Sequence, residues 1–264
     1  MDITSGNATL ATESSGTGPD VLLVHAGVTD QRSWRHVIDA LPGHRCLTYD
    51  QRGYGGTTYE PEDGWSPVAD AVAVLDAYDV GSAVVIGCSM GGGVALDLAL
   101  THPDRVRALV LIGSAVSGAP DLEHLEPGLE DLEKRYDAAY EAGDHDTLNE
   151  LEAVIWLDGP FHPGRVTGAA RDLFLDMNRI ALEAPDPGEK RDGVDAWQDA
   201  AAIAVPTLVM IGEHDLDHTQ GGAVHLAATI PGARLVELSG VAHLPHLEKD
   251  ETTLREIAAF VSSF

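Results

Sequence analysis

Four short apolar runs in the first 115 residues constrain the fold of this chain more than any other feature. They are Val21–Ala26 (VLLVHA), Arg45–Tyr49 (RCLTY), Ala83–Cys88 (AVVIGC) and Ala108–Ile112 (ALVLI). Each is bounded by Gly, Pro or Asp, as strands buried on both faces are. Helical patterns stand between them, at Trp34–Ala40, Val68–Tyr78 and Gly92–Thr101. Strand–helix–strand alternation predicts right-handed crossovers and a mostly parallel central sheet flanked by helices, an α/β fold. The opening residues Ile3–Ser14 predict a short hairpin at one edge.

The alternation then stops. From about Ser117 to Ile203 there is no convincing strand, and amphipathic helical patterns take over at Leu129–Ala142, Thr147–Trp156 and Val166–Glu183. Acidic residues outnumber basic ones there by roughly three to one, and Pro/Gly stops punctuate the stretch. After Pro206 the strand pattern resumes with Thr207–Ile211 (TLVMI), a helix near Ala223–Thr229, Arg234–Leu238 (RLVEL) and a closing helix from Glu251. With 264 residues, 44% of them hydrophobic, the chain can bury one large core. The expected organisation is a core from 1–116 and 204–264, interrupted by a helical insertion at 117–203.

The chemistry concentrates at Gly87-Cys88-Ser89-Met90-Gly91, a G-x-S-x-G pattern directly after a strand and directly before a helix. A sharp strand-to-helix turn strains the serine backbone and leaves no room for side chains two positions away. The hydroxyl then stands over a helix N-terminus, which favours developing negative charge. A serine hydroxyl needs a base to take its proton. Of twelve histidines, His243 lies in the loop after the last predicted strand, with His246 its serious rival. His25 begins a glycine-containing turn, His102 sits at a helix end, and His36, His44, His124 and His145 read as surface residues. Asp215, after the strand Thr207–Ile211, is placed to orient the imidazole, with Glu213 and Asp217 as substitutes. The order Ser89, Asp215, His243 suits a hydrolase triad. Oxyanion donors are expected from the Met90 N–H and from Gly27, with Val28 as the lesser option.

These pieces together resemble the α/β-hydrolase superfamily. The matching motifs are His25-Ala26-Gly27, Asp50-Gln51-Arg52-Gly53-Tyr54-Gly55, the Ser89 elbow, Gly212-Glu213-His214-Asp215 and the His243 loop, in the family's order. The nearest branch in flavour is that of esterases, enol-lactonases and cofactor-free perhydrolases. One departure is Ala26, where His-Gly is more usual. The resemblance implies an α/β-hydrolase fold with the insertion as a helical cap, and Arg52 as a brace for a loop bordering the site. Haloalkane dehalogenases and epoxide hydrolases share this fold but attack with aspartate, so Ser89 argues against both. The implied activity is hydrolysis of a carboxylic ester or lactone through an acyl-enzyme, without cofactor. The alternatives are a C–C bond hydrolase acting on a β-diketone-like substrate, and a hydrolase-fold ligand receptor with little turnover. Val28, Trp156, Phe161 and Met177 are the candidate pocket residues.

Other functions fit poorly. A net charge of −27 disfavours nucleic acid and strongly anionic substrates. Histidines and acids near Asp215 offer metal-ligand types, but no H-E-x-x-H pattern accompanies them, and the triad explains them more economically. The glycine-rich runs lack the phosphate-loop and dinucleotide patterns. Cys46 and Cys88 read as small buried thiols. No apolar run approaches the roughly 20 residues of a membrane span, and the start does not read as a signal peptide. The expected setting is therefore the cytoplasm, with a small-molecule ester or lactone as partner and a homodimer left open.

Overall fold

A computed structural model describes residues 1–120, 126–191 and 193–264. His124 falls outside the described residues. Among these residues nine strands form one sheet, ordered β1-β2-β4-β3-β6-β7-β8-β9, with β5 paired to β2. The strands are β1 (Asp2–Ser5), β2 (Ala8–Gly16), β3 (Asp20–Val24), β4 (Arg45–Tyr49), β5 (Thr58–Tyr59), β6 (Ala83–Cys88), β7 (Val106–Ile112), β8 (Thr207–Gly212) and β9 (Arg234–Leu238). From β4 to β9 along the sheet every pairing is parallel, while β2 pairs antiparallel with β1, β4 and β5.

The expected parallel sheet is therefore present, with two additions. β2 is longer than a hairpin arm and runs on to Gly16, where it joins the main sheet beside β4. The two-residue β5 carried no periodic signal, being too short to show one. The helices are α1 (Arg35–Ala40), α2 (Pro67–Ala77), α3 (Met90–Thr101), α4 (Glu130–Ala142), α5 (His145–Glu152), α6 (Ala169–Glu183), α7 (Ala196–Asp199), α8 (Asp217–Thr229) and α9 (Glu251–Val261). α8 starts six residues before the pattern expected near Ala223. Its interior pair Gly221-Gly222 is a poor helix former, and tertiary packing overrides that preference. α5 ends at Glu152 and opens into a wide π-type turn, Ala153–Asp158, which carries Trp156.

Side chains alternate across the strands, as a period of two requires. Leu22 and Val24 face the core shared with α2, α3 and α8, whereas Val21 and Leu23 face the core shared with α1 and α9. The second core does not stop at the sheet. Ala153, Leu157, Phe174 and Met177 from the stretch between β7 and β8 join it. That stretch is thereby seated on the sheet by apolar burial. No helix among the described residues is long and apolar enough to cross a membrane.

Candidate active site

The site is built at the carboxyl ends of the central strands, where an open parallel sheet leaves a crevice. Ser89 follows β6 and precedes α3 with φ +52° and ψ −120°, a left-handed conformation that costs a non-glycine residue of order 1–3 kcal/mol. Backbone hydrogen bonds to the end of β7, the loop after it and α3 hold it there. Ser89 N–H donates to the Ile112 carbonyl at 2.9 Å, and its own carbonyl accepts from Gly93 and Ala115 N–H at 3.1 and 3.0 Å. The two glycines of the motif have a steric cause. A Cβ on Gly87 would strike the Gly91 backbone, and one on Gly91 would strike the Val24 and His25 carbonyls.

His243 and Asp215 arrive from the loops after β9 and β8. The imidazole Nδ1 lies 2.7 Å from Asp215 Oδ2, with both side chains almost wholly buried. A carboxylate only accepts, so Nδ1 carries the hydrogen and Nε2 is left with a free lone pair. Asp215 Oδ1 accepts from the Leu216 N–H at 2.8 Å, so both carboxylate oxygens are engaged. Nε2 is buried without a hydrogen-bond partner among the described residues. It shares a cavity of about 530 Å³ with Ser89. The ring of Trp156 packs on His243 at 4.8 Å between centroids.

Gly113, at the end of β7, is a residue that the sequence reading did not single out. Its φ is +48°, and a Cβ there would crowd His243 Nδ1 at 2.9 Å and Asp215 Oδ2 at 3.1 Å. No local motif marks it, because the need for a glycine arises only where three loops meet.

The rival His246 has a different environment. It is completely buried, stacked on Trp34 at 4.3 Å, with neither ring nitrogen hydrogen-bonded among the described residues. Burial, with the nearby His243, pushes its pKa down to about 3. Cys88 is buried too; burial holds its thiol well above the usual range, and its Sγ faces the His243 carbonyl at 3.6 Å.

The loop after β3 lies against the elbow. A Cβ on Gly27 would touch Met90 Cβ at 3.7 Å and Tyr54 Oη at 3.4 Å, so Gly27 and Met90 are adjacent. His25 braces this loop. Its Nδ1–H donates to the Ala26 carbonyl at 2.8 Å, and its Nε2 accepts from Gln51 N–H at 3.0 Å. Burial lowers the pKa of this histidine, in keeping with a neutral ring. Arg52 is buried and donates to Asp70, Glu62 and the Ser5 carbonyl, which fits the bracing role.

Residues 19–250 match the model of the α/β-hydrolase fold family. The chain belongs to that family. It is 31% identical to a 2-hydroxymuconate semialdehyde hydrolase of Pseudomonas sp. (strain CF600), over 89% of this chain and 83% of the relative. It is 28% identical to the rhodomycin D methylesterase of Streptomyces sp. (strain C5), over 97% and 96% of the two chains. Among solved structures, the enol-lactonase from Burkholderia xenovorans LB400 superposes with a TM-score of 0.77 at 25% identity, covering 99% of this chain and all of its own. The protein is thus a hydrolase of the α/β-hydrolase superfamily.

Two cavities of this α/β hydrolase meet at Ser89. The one shared with His243 is mostly apolar, and Val116, Trp156, Trp197, His218 and Gly222 help to line it. The other, about 1020 Å³, runs along α3 past Gly93 and Asp97 toward Lys190, Arg191 and Asp195. Of the expected pocket residues, Trp156 lines the first cavity. Phe161 does not: it stands 54% exposed on the turn after Gly159. Met177 is fully buried in the apolar core beneath α6, and half-buried Val28 packs against the same cluster. Both therefore serve packing rather than lining either cavity. Trp197 was missed because it comes from a four-residue helix without a periodic signal, whereas His218 was weighed only as one of the metal-ligand types near Asp215. His218 is the more notable, a histidine facing the same cavity as His243, with its pKa lowered by burial. Among the described residues no three His, Cys, Asp or Glu side chains are grouped as a metal site requires.

Proposed function

We propose that this hydrolase cleaves a carboxylic ester or lactone through an acyl-enzyme on Ser89. One observation carries the reading: a strained, cavity-facing serine shares that cavity with a histidine whose other nitrogen is held by a buried aspartate. In the mechanism, Ser89 Oγ attacks the carbonyl carbon while His243 Nε2 takes its proton. The Met90 and Gly27 amides hold the tetrahedral oxyanion. Asp215 steadies the imidazolium, which then protonates the leaving alkoxide. Water, deprotonated by the same nitrogen, releases the acid and restores Ser89. Residues 117–203 act as a cap whose Trp156 closes one wall of the pocket.

The methylesterase and enol-lactonase relatives favour ester chemistry. A second reading, hydrolysis of a C–C bond in a β-diketone-like substrate, is favoured by the 2-hydroxymuconate semialdehyde hydrolase relative. A fluorophosphonate probe tests the shared nucleophile. Labelling should map to Ser89 and vanish in Ser89→Ala; undiminished labelling of that variant sinks the assignment. Turnover of aryl esters and lactones, set against vinylogous diketones, separates the two chemistries.

A further inference from the structure

We infer that Arg165 is a positioning residue for His243, locking the stretch between β7 and β8 onto the loop that carries the imidazole. This role rests on the reading of His243 as the base.

All five guanidinium N–H groups of Arg165 have an acceptor. Nε donates to the Asp158 carbonyl at 2.7 Å. One terminal nitrogen donates to the Gly240 carbonyl at 3.0 Å and to Glu248 Oε2. The other donates to the Leu157 carbonyl at 2.6 Å and to Glu248 Oε1 at 2.7 Å. Leu157 and Asp158 directly follow Trp156, while Gly240 and Glu248 flank His243. Glu248 Oε1 also accepts from the N–H of Ala242, the residue before His243, at 3.3 Å. The imidazole is thus held from two directions, by its own loop and by the Trp156 ring 4.8 Å away. Arg165 fixes the relation between the two.

Arg165 is itself presented by a closed turn. The wholly buried Asp158 carboxylate accepts from Gly164 N–H at 2.7 Å, Val166 N–H at 2.9 Å and Arg171 at 2.9 Å. Side-chain exposure is 19% for Arg165 and 8% for Glu248, so water screens the pair poorly. Removing either partner leaves the other shielded without its counter-charge. The same seam holds a second contact, where His162 packs on His214 at 3.9 Å, one residue before Asp215. Lysine in place of Arg165 would keep the charge and lose the two-pronged fork.

The test compares the full wild-type chain with Arg165→Gln, Arg165→Lys and Glu248→Gln. Arg234→Gln, which removes a surface pair with Glu256, is the control. The readouts are kcat and KM on p-nitrophenyl butyrate per fluorophosphonate-titrated site, thermal unfolding, and the low-field Nδ1 proton resonance of His243. Misplacement by about 1 Å can cost on the order of 100-fold in rate, so Arg165→Gln should lower kcat by about tenfold or more with KM within about threefold. Glu248→Gln should match it, and the double variant should lose little beyond either single one. Arg165→Lys should fold like wild type yet lose part of the rate, which keeps the test valid if Arg165→Gln unfolds. The low-field resonance should broaden or vanish in these variants and persist in Arg234→Gln. Variants that melt earlier but retain wild-type kcat, KM and resonance would overturn the role, leaving the pair as a stabilising contact only. If the wild type itself resists the probe and leaves the ester intact, the Ser89 reading fails; the resonance comparison then still decides the role of Arg165.

Discussion

The carboxyl ends of β6 to β9 and the helical stretch between β7 and β8 meet at His243, yet different forces hold them. At the strand ends, position is set by backbone contact without spare room: Gly87, Gly91 and Gly113 each sit where a Cβ would meet main chain or the Asp215–His243 pair. Within the helical stretch, polar side chains join its helices to one another beside the apolar burial that seats it. Arg171 bridges Asp158 and Glu150, Arg179 reaches Asp146, and Asn178 and Tyr136 converge on Glu152. Steric contact fails within a fraction of an ångström, whereas charge interactions fade gradually and tolerate adjustment. The proposed triad therefore lies where backbone sterics leave least room, and the proposed cap where side-chain charges carry more of the contact.

The contrast breaks most sharply at the proposed triad. Asp215→Asn leaves the shape nearly intact but reverses the hydrogen-bonding need at Nδ1; kcat/KM should fall by roughly 10³–10⁴-fold with little change in melting temperature. Steady-state kinetics beside a thermal melt checks both halves. Next comes Gly91→Ala, where the new methyl meets the Val24 and His25 carbonyls. A destabilisation of about 3 kcal/mol is expected from overpacking against backbone, measurable by urea unfolding. Retention of wild-type stability would show that the elbow has slack after all.

His246→Phe sharpens the picture of the core. In the fold this histidine stays neutral down to about pH 3, while in the unfolded chain it titrates near the ordinary value of about 6.5. Between those limits the unfolded chain binds the extra proton, so this group's contribution to stability falls as pH falls, by about 1 kcal/mol per unit. Phenylalanine keeps the stack on Trp34 and removes the titration. The variant's stability should therefore decline less steeply below pH 6.5 than that of wild type, with hydrolase activity unchanged at neutral pH. The smallest effect is expected for Arg179→Gln in α6, where both partners of the ion pair with Asp146 are exposed. Its unfolding midpoint should coincide with that of wild type, and a clear drop would mean that the helical stretch is less tolerant than its contacts suggest.

How much was legible followed the range of the cause. The sheet and the elbow were readable because period-two burial, a helix start and glycine spacing act over a few residues. Asp215 and His243 were found from chain order around predicted strand ends, since the parallel sheet brings those ends together. The pocket was read less well. Phe161 and Trp156 are five residues apart with similar chemistry, and only the turn at Gly159, with φ +86°, sends one to the surface and the other over His243.

Sequence by itself thus determined the α/β-hydrolase core and the residue types and order of the Ser89, Asp215 and His243 constellation. Those follow from local sterics and from a topology that offers few alternatives. Tertiary structure alone decided that Gly113 must lack a side chain, that His246 stays neutral against Trp34, and that Arg165 joins Glu248 beside His243. Each depends on atoms from segments far apart in the chain, whose meeting distance no local pattern encodes.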